Sequence, residues 1–196
     1  VTNTEFIKLA ECTIPYFYSV LKDGGSAYLF SNTENLAEFI LIIKHSGFRI
    51  VNLITVVQDL GYHPKSRFKS RSYFVVFVSK GLHKTFNADE VRIPQASYDK
   101  RNNALGAVPS DVWAFSEVRK NSKEYLGHKG QKPEALIERM ILASSNEGET
   151  VFDPFSGTFT TGAVAINNNR RFICFELDEK YCSVGKDRIS ILESVE

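Results

Sequence analysis

Cysteine is scarce in this 196-residue chain, standing only at positions 12, 174 and 182, and no pair shows CxxC or CxxH spacing. So sparse and odd a set suggests neither a disulfide framework nor a zinc site and fits a reducing cytosol. No stretch approaches the roughly 18 to 20 uninterrupted apolar residues of a membrane span, and no charged-then-apolar signal peptide opens the chain. An excess of charge of one sign is missing too: 24 basic and 23 acidic residues leave a formal net charge of +1. That balance excludes little, because the two signs can be sorted onto different faces. Internal repeats and low-complexity tracts are also lacking.

What is present is an ordinary globular composition, 43% hydrophobic and 24% charged, long enough for one sizeable core and short for two. One domain with an inserted or appended element is expected. The chain opens on Val1 and runs straight into helix-like sequence, so a further N-terminal piece is expected ahead of it. The charges are sorted along the sequence: Leu60 to Ala88 holds no Asp or Glu, yet carries Lys65, Arg67, Lys69, Arg71, Lys80 and Lys84 beside His63 and His83.

Apolar spacing predicts helices over Phe6–Leu21, with Pro15 as a kink or first turn, and over Glu34–His45. Strands are expected at Ser26–Ser31 and Phe48–Gln58, the second rich in β-branched residues. Tyr73–Ser79 (YFVVFVS) is a nearly continuous apolar run, the mark of a strand covered on both faces. Residues 81–130 read as polar and irregular. Beyond them come helix Pro133–Ser144, strand Thr150–Phe155, helix Thr161–Asn168, strand Phe172–Leu177 and a helix from Glu179 to about Leu192. Strands alternating with helices predict a parallel-type α/β sheet.

Between that strand and helix the chain reads FDPFSGTFTTG, Phe152 to Gly162. At the carboxyl end of a strand such a turn meets a ligand through backbone N–H groups. Gly157 permits close approach, the hydroxyls of Ser156, Thr158, Thr160 and Thr161 can donate, and the following helix turns its positive end toward an anion. Glu176 follows Gly157 by 19 residues, at the end of the FICFE strand. A carboxylate at about that distance can accept from both ribose hydroxyls, so loop and carboxylate together indicate a nucleoside-bearing ligand. The pattern is not GxGxxG. Simple turn chemistry for the loop, and a solvated strand end for Glu176, are the competing readings.

The run Asp153-Pro154-Phe155-x-Gly157, with its hydroxyl-rich turn and a strand ending in Glu176, resembles the S-adenosylmethionine segment of DNA amino-methyltransferases, which methylate adenine N6 or cytosine N4. Upstream, Pro109–Trp113, Val118–Glu124 and Gly127–Pro133 are similar to that family's DVW, NSKE and GHPTQKP run. Leu21–Ser26 resembles its LKPGG turn, and Ser72–Gly81 its HEYILVFSKG strand. The order places the cofactor loop last, the β arrangement of the family. The resemblance implies a Rossmann-like α/β sheet with helices on both faces, S-adenosylmethionine as cofactor and double-stranded DNA as substrate. A homodimer and a cognate restriction endonuclease in the same system are further expectations, as is a cytoplasmic, nucleoid-associated place in a prokaryote.

Residue by residue, the resemblance sets Asp153, Pro154 and Phe155 at the methionine moiety and sulfonium, and Ser156, Gly157, Thr158, Phe159, Thr160 and Thr161 in the cradle for its carboxylate. Glu176 holds the ribose and Lys132 lies near the same pocket. Lys65, Arg67, Lys69 and Arg71 alternate with Ser66, Phe68 and Ser70, so four cations can project from one side of an extended loop toward phosphates. Arg119, Lys120 and Lys123 form a second DNA strip. His128 reads as a hydrogen-bonded turn histidine and Trp113 as a buried residue. Residues 1–81 are expected as the catalytic half, 82–110 as target recognition and 111–196 as the cofactor half.

Three departures stand out. Phe159 replaces a loop glycine, HKGQKP replaces HPTQKP, and no two of the six prolines are adjacent, so the base-holding Asp/Ser/Asn-Pro-Pro-Tyr/Phe tetrapeptide is not in this sequence. It is expected upstream of Val1, on a central strand; catalytic residues are therefore unassigned. The competing functions are a cofactor- or DNA-binding subunit, or split half, without its own tetrapeptide, and an RNA methyltransferase.

Overall fold

The computed structural model describes residues 2–59, 64–94 and 103–194. The chain divides into two compact units, Val1–Phe86 with Val108–Ala114, and Asn87–Ala107 with Phe115–Glu196.

In the first unit, α1 (Asn3–Val20) starts three residues before the expected helix because Thr2 and Glu5 form a capping box. The Thr2 hydroxyl accepts from the Glu5 N–H, and the Glu5 carboxylate accepts from the Thr2 N–H at 2.7 Å, which holds the Glu5 carboxyl below its usual range. Pro15 lies inside the helix. A four-stranded sheet runs in the order β1 (Ser26–Ser31), β3 (Ser72–Ser79), β2 (Arg49–Val57), β4 (Val112–Ala114). Its strands are not all parallel, as the helix alternation suggested. β3 runs antiparallel to both β1 and β2, and only β4 is parallel to β2. No helix intervenes between β2 and β3 among the described residues, so the chain turns back on itself as a broad hairpin rather than crossing over.

Val75 to Ser79 of β3 are buried without interruption, as the apolar run required of a strand covered on both faces. On one side Val76 and Val78 join Ala10 and Ile14 of α1 and Phe39 and Ile43 of α2 (Leu36–His45) in a single core. The short β4 was not foreseen. Its Trp113 is buried and donates from its indole N–H to the Ser110 carbonyl at 2.7 Å.

The second unit holds α3 (Glu134–Ser144) and a βαβ element: β5 (Thr150–Asp153), α4 (Thr160–Asn167) and β6 (Arg171–Cys174), with α5 (Glu179–Glu193) following. β5 and β6 pair in parallel, Asp153 opposite Cys174. The last turn of α3 is closed by side chains: Asn87 donates to the carbonyls of Leu142 and Ser145, and the buried Arg170 donates to the Ser145 carbonyl at 2.9 Å. A further core joins Phe159, Ala163 and Ile189 to Phe172, Cys174 and Cys182. The expected target-recognition stretch 82–110 lies partly outside the described residues, at 95–102; its described flanks meet in a bridge between Ile93 and Ala107.

Candidate cofactor site

Both strands of the βαβ element end earlier than the apolar runs indicated, β5 at Asp153 and β6 at Cys174. The ladder nevertheless continues past their ends. Phe175 N–H donates to the Asp153 carbonyl at 3.0 Å, and Ser156 N–H donates to the Phe175 carbonyl at 2.9 Å. Glu176 therefore stands two residues beyond the strand, facing the glycine turn, rather than at the strand's end. Its carboxylate accepts from the Gly157 N–H at 2.8 Å with one oxygen and from the Asp178 N–H at 2.9 Å with the other.

Three of the loop's four hydroxyls are already engaged, two by the loop itself and one by α5. Thr161 donates to one oxygen of the Asp153 carboxylate at 2.5 Å, while the other accepts from the Phe155 N–H at 3.0 Å. Ser156 donates to the Asp153 carbonyl at 2.6 Å, and Thr160 accepts from Arg188 at 3.1 Å. Thr158 is the exception: its hydroxyl is buried and has no hydrogen-bond partner among the described residues. A buried polar group left so is costly unless something else satisfies it. Asp153, Pro154, Phe155, Gly157 and Glu176 thus converge on one turn, with Phe155 and the neighbouring Phe175 and Leu177 exposed.

Phe159 takes the left-handed conformation, φ 56°, just before α4, and Gly157 is left-handed as well at φ 52°. A non-glycine residue there costs roughly 1 to 2 kcal/mol. The offset is visible on the far side: the Phe159 ring is buried against Ala163 and Ile189 and fills the space over Gly185, where a Cβ would lie 2.5 Å from the ring. The ring belongs to the core.

The HKGQKP segment borders the same turn. His128 is a turn histidine: its Nδ1 accepts from the Gly130 N–H at 3.2 Å, its carbonyl accepts from the Gln131 N–H, and its ring meets Tyr181 edge-on at 4.5 Å. A Cβ placed on Gly157 would be 3.6 Å from His128 Nδ1, which puts the two turns side by side. The Gln131 side chain accepts from the Leu126 N–H and donates to the Glu124 carbonyl, and the Glu124 carboxylate accepts from the Glu134 N–H at the start of α3. Lys132, half-buried in this segment, is held below the usual lysine range by burial, which the nearby Glu117 opposes.

Sequence reasoning missed Arg188. From α5 it donates through one nitrogen to the Thr158 carbonyl and the Thr160 hydroxyl, both at 3.1 Å, and through the other to the Glu134 carboxylate. Nothing in its helical context announces this reach. Cys174, beneath the loop, is pushed up to about 11 by burial, against the pull of the Ser156 hydroxyl, so it stays a neutral thiol.

Of the expected DNA-binding cations, Lys65, Arg67, Lys69 and Arg71 are exposed in the first unit, although a bend over residues 65–67 interrupts the uniformly extended run. Arg71 is anchored: its side chain donates to the Gln58 carbonyl at 2.8 Å, and the Gln58 N–H donates back to the Arg71 carbonyl at 2.7 Å. In the second unit Arg119, Lys120 and Lys123 are exposed along consecutive turns closed by Ser122 N–H to the Arg119 carbonyl and Tyr125 N–H to the Ser122 carbonyl. Among the described residues no cluster of His, Cys, Asp and Glu could hold a metal ion, and no helix is long and apolar enough to cross a membrane.

The profile of a family described as DNA methylase matches residues 2–187. A type II methyltransferase of Haemophilus parainfluenzae, M.HpaI, is 38% identical over 183 residues, 92% of this chain and 57% of its own length. The DNA adenine methyltransferase YhdJ of Escherichia coli K12 is 38% identical over 199 residues, 95% of this chain and 66% of its own. This chain thus spans between about half and two thirds of the length of these relatives. Among solved structures, the cytosine-N4-specific PvuII DNA methyltransferase superposes with a TM-score of 0.77 at 18% identity, covering 98% of this chain and 76% of that one. The M1.HpyAVI–SAM complex gives 0.73 at 23%, covering 96% and 85%. These likenesses show the Rossmann-like methyltransferase fold.

Proposed function

The chain belongs to the DNA methylase family, and from that membership we propose that it binds S-adenosylmethionine and serves methyl transfer to an exocyclic amino group in duplex DNA. The observation that carries this reading is the placement of Glu176. An ionised carboxylate offers about four lone-pair sites, and Glu176 spends two on the Gly157 and Asp178 N–H groups. Two remain, the number a ribose diol requires. The unpartnered Thr158 hydroxyl and the first N–H groups of α4 suit the charged methionine end. Exposed Leu177 and Phe175, flanking Glu176, offer apolar surface to the adenine ring.

The bound cofactor would supply an electrophilic methyl group on a sulfonium. This chain's part is to orient it: Glu176 fixes the sugar, the Gly157 turn fixes the tail, and Phe155 borders the methyl-bearing end. The amino group is a poor nucleophile whose lone pair is delocalised into the ring, so the base is taken out of the stack and held. Positioning of this kind supplies roughly 7 to 11 kcal/mol of the barrier. The residues that hold the base are assigned to none of this chain's positions.

Adenine is the favoured base, since YhdJ, 38% identical, is named an adenine methyltransferase whereas the cytosine-specific structure is only 18% identical. Lys65, Arg67, Lys69 and Arg71, with Arg119, Lys120 and Lys123, are the phosphate contacts of this reading, and residues 82–110 its target-recognition segment. A restriction partner, a homodimer and an address on the bacterial chromosome belong to it as well.

Calorimetric titration with S-adenosylhomocysteine is expected to give one site per chain, weakened at least about 10-fold by Glu176→Gln, the loss of roughly one good hydrogen bond. No binding by the wild-type chain ends the proposal. Label transferred from the cofactor to duplex DNA, and recovered as N6-methyladenine rather than N4-methylcytosine, tests the reaction; label in RNA alone decides for the competing substrate. Cofactor and duplex binding without transfer leaves the reading of a binding subunit.

A further inference from the structure

Phe68 is 99% exposed, whereas the next most exposed of the fifteen phenylalanines, Phe175, is 59% exposed. It is thus the one phenylalanine with no packing. Its neighbours in the loop are Lys65, Ser66, Arg67, Lys69, Ser70 and Arg71, and no carboxylate occurs between Leu60 and Ala88. The stem is fastened at Arg71 and Gln58 by two reciprocal hydrogen bonds, and Pro64 is buried. An apolar ring therefore stands in water on an anchored loop, among cations that no acid of the segment answers.

A partner for this arrangement must be anionic outside and apolar within. Duplex DNA is both: phosphates lie along the backbone, and base faces become accessible wherever a step is opened. Aromatic side chains enter such steps and unstack them while flanking cations hold the phosphates. Resting on the reading that the chain acts on duplex DNA, we propose that Phe68 is a stacking residue, entering the base stack of the bound duplex between phosphates held by Lys65, Arg67 and Lys69. The cations supply the salt-dependent, sequence-independent attraction. The ring adds a contact that salt does not screen, and it opens the duplex locally where a base has to be extracted.

Labelled duplex titrated with the whole chain, followed by fluorescence anisotropy, tests this. Phe68→Ala is expected to weaken binding about 5- to 150-fold, the span seen when a stacked aromatic is lost, with the slope of log K against log salt unchanged. Phe68→Trp is expected to bind like wild type, its new emission quenched by the duplex; the only other tryptophan, Trp113, is buried and gives a steady background. Equal affinity of wild type and Phe68→Ala, with no quenching in Phe68→Trp, overturns the proposal while leaving DNA binding intact. Failure of the wild-type chain to bind any duplex overturns the underlying reading instead. Vesicles of anionic phospholipid form the control arm: Phe68-dependent binding to them, with Phe68-independent binding to duplex, assigns the ring to a membrane and also sinks the proposal.

Discussion

Arg188 shows how much of a ligand loop can be held from behind. Its guanidinium reaches the Thr158 carbonyl, the Thr160 hydroxyl and the Glu134 carboxylate, tying α5 and α3 to the two residues that straddle Phe159. Hydrogen bonds from a charged donor contribute about 1.5 to 3 kcal/mol each, and a planar fork serves three acceptors where an ammonium serves fewer at fixed geometry. Arg188→Met is therefore expected to raise the Kd for S-adenosylmethionine by about 10-fold, one such bond's worth. Arg188→Lys should recover thermal stability more fully than it recovers affinity. Titration calorimetry beside a thermal melt reads both, and a Kd unchanged in Arg188→Met would remove Arg188 from the site's support. Phe159 obeys a related logic: the missing Cβ of Gly185 is what lets a large ring occupy a left-handed position in the loop.

Among the elements, α5 is the one whose start bears on the site. Asp178 caps it, its carboxylate accepting from the N–H groups of Lys180 and Tyr181, while its own N–H is held by Glu176. Loss of such a cap costs typically about 1 kcal/mol. Asp178→Ala is accordingly expected to lower the urea-unfolding free energy by about that amount and to weaken cofactor binding, because one of the two bonds orienting Glu176 comes from a backbone the cap holds still; an unaltered midpoint would show the cap to be redundant. The elements themselves were largely legible, since α1, α2, α3 and the βαβ unit announce themselves by apolar period and by glycine or proline at their ends. Less legible was how strands pair. β3 reads as a buried strand whichever way it runs, and its antiparallel direction accords with the lack of a helix before it among the described residues. β4 escaped notice because three residues carry no period. Of the candidate site, spacing foretold that Gly157 and Glu176 meet, as their hydrogen bond shows, whereas Arg188 and the bonds of Ser156, Thr160 and Thr161 depend on side-chain reach that spacing does not encode.

At the scale of the whole molecule, a formal charge of +1 cannot by itself draw in a polyanion. Attraction to DNA has to come from where the positive charge is gathered, and Leu60 to Ala88 is the longest acid-free stretch that carries it. Each phosphate neutralised contributes about 0.9 to the slope of log K against log salt. Arg71 already donates to Gln58, so Lys65, Arg67 and Lys69 are the three cations most free to act. Replacing these three with glutamine is expected to flatten the salt slope by about 2 to 3, uniformly across DNA sequences, because phosphate contacts carry no base information. Cofactor affinity should not change, since none of the three belongs to the glycine turn or to the groups that Glu176 bonds. The same replacement at Arg119, Lys120 and Lys123 weighs the second strip on the same scale. A slope that stays put after the first triple replacement but flattens after the second would move the DNA contact from the hairpin loop to the turns ahead of α3.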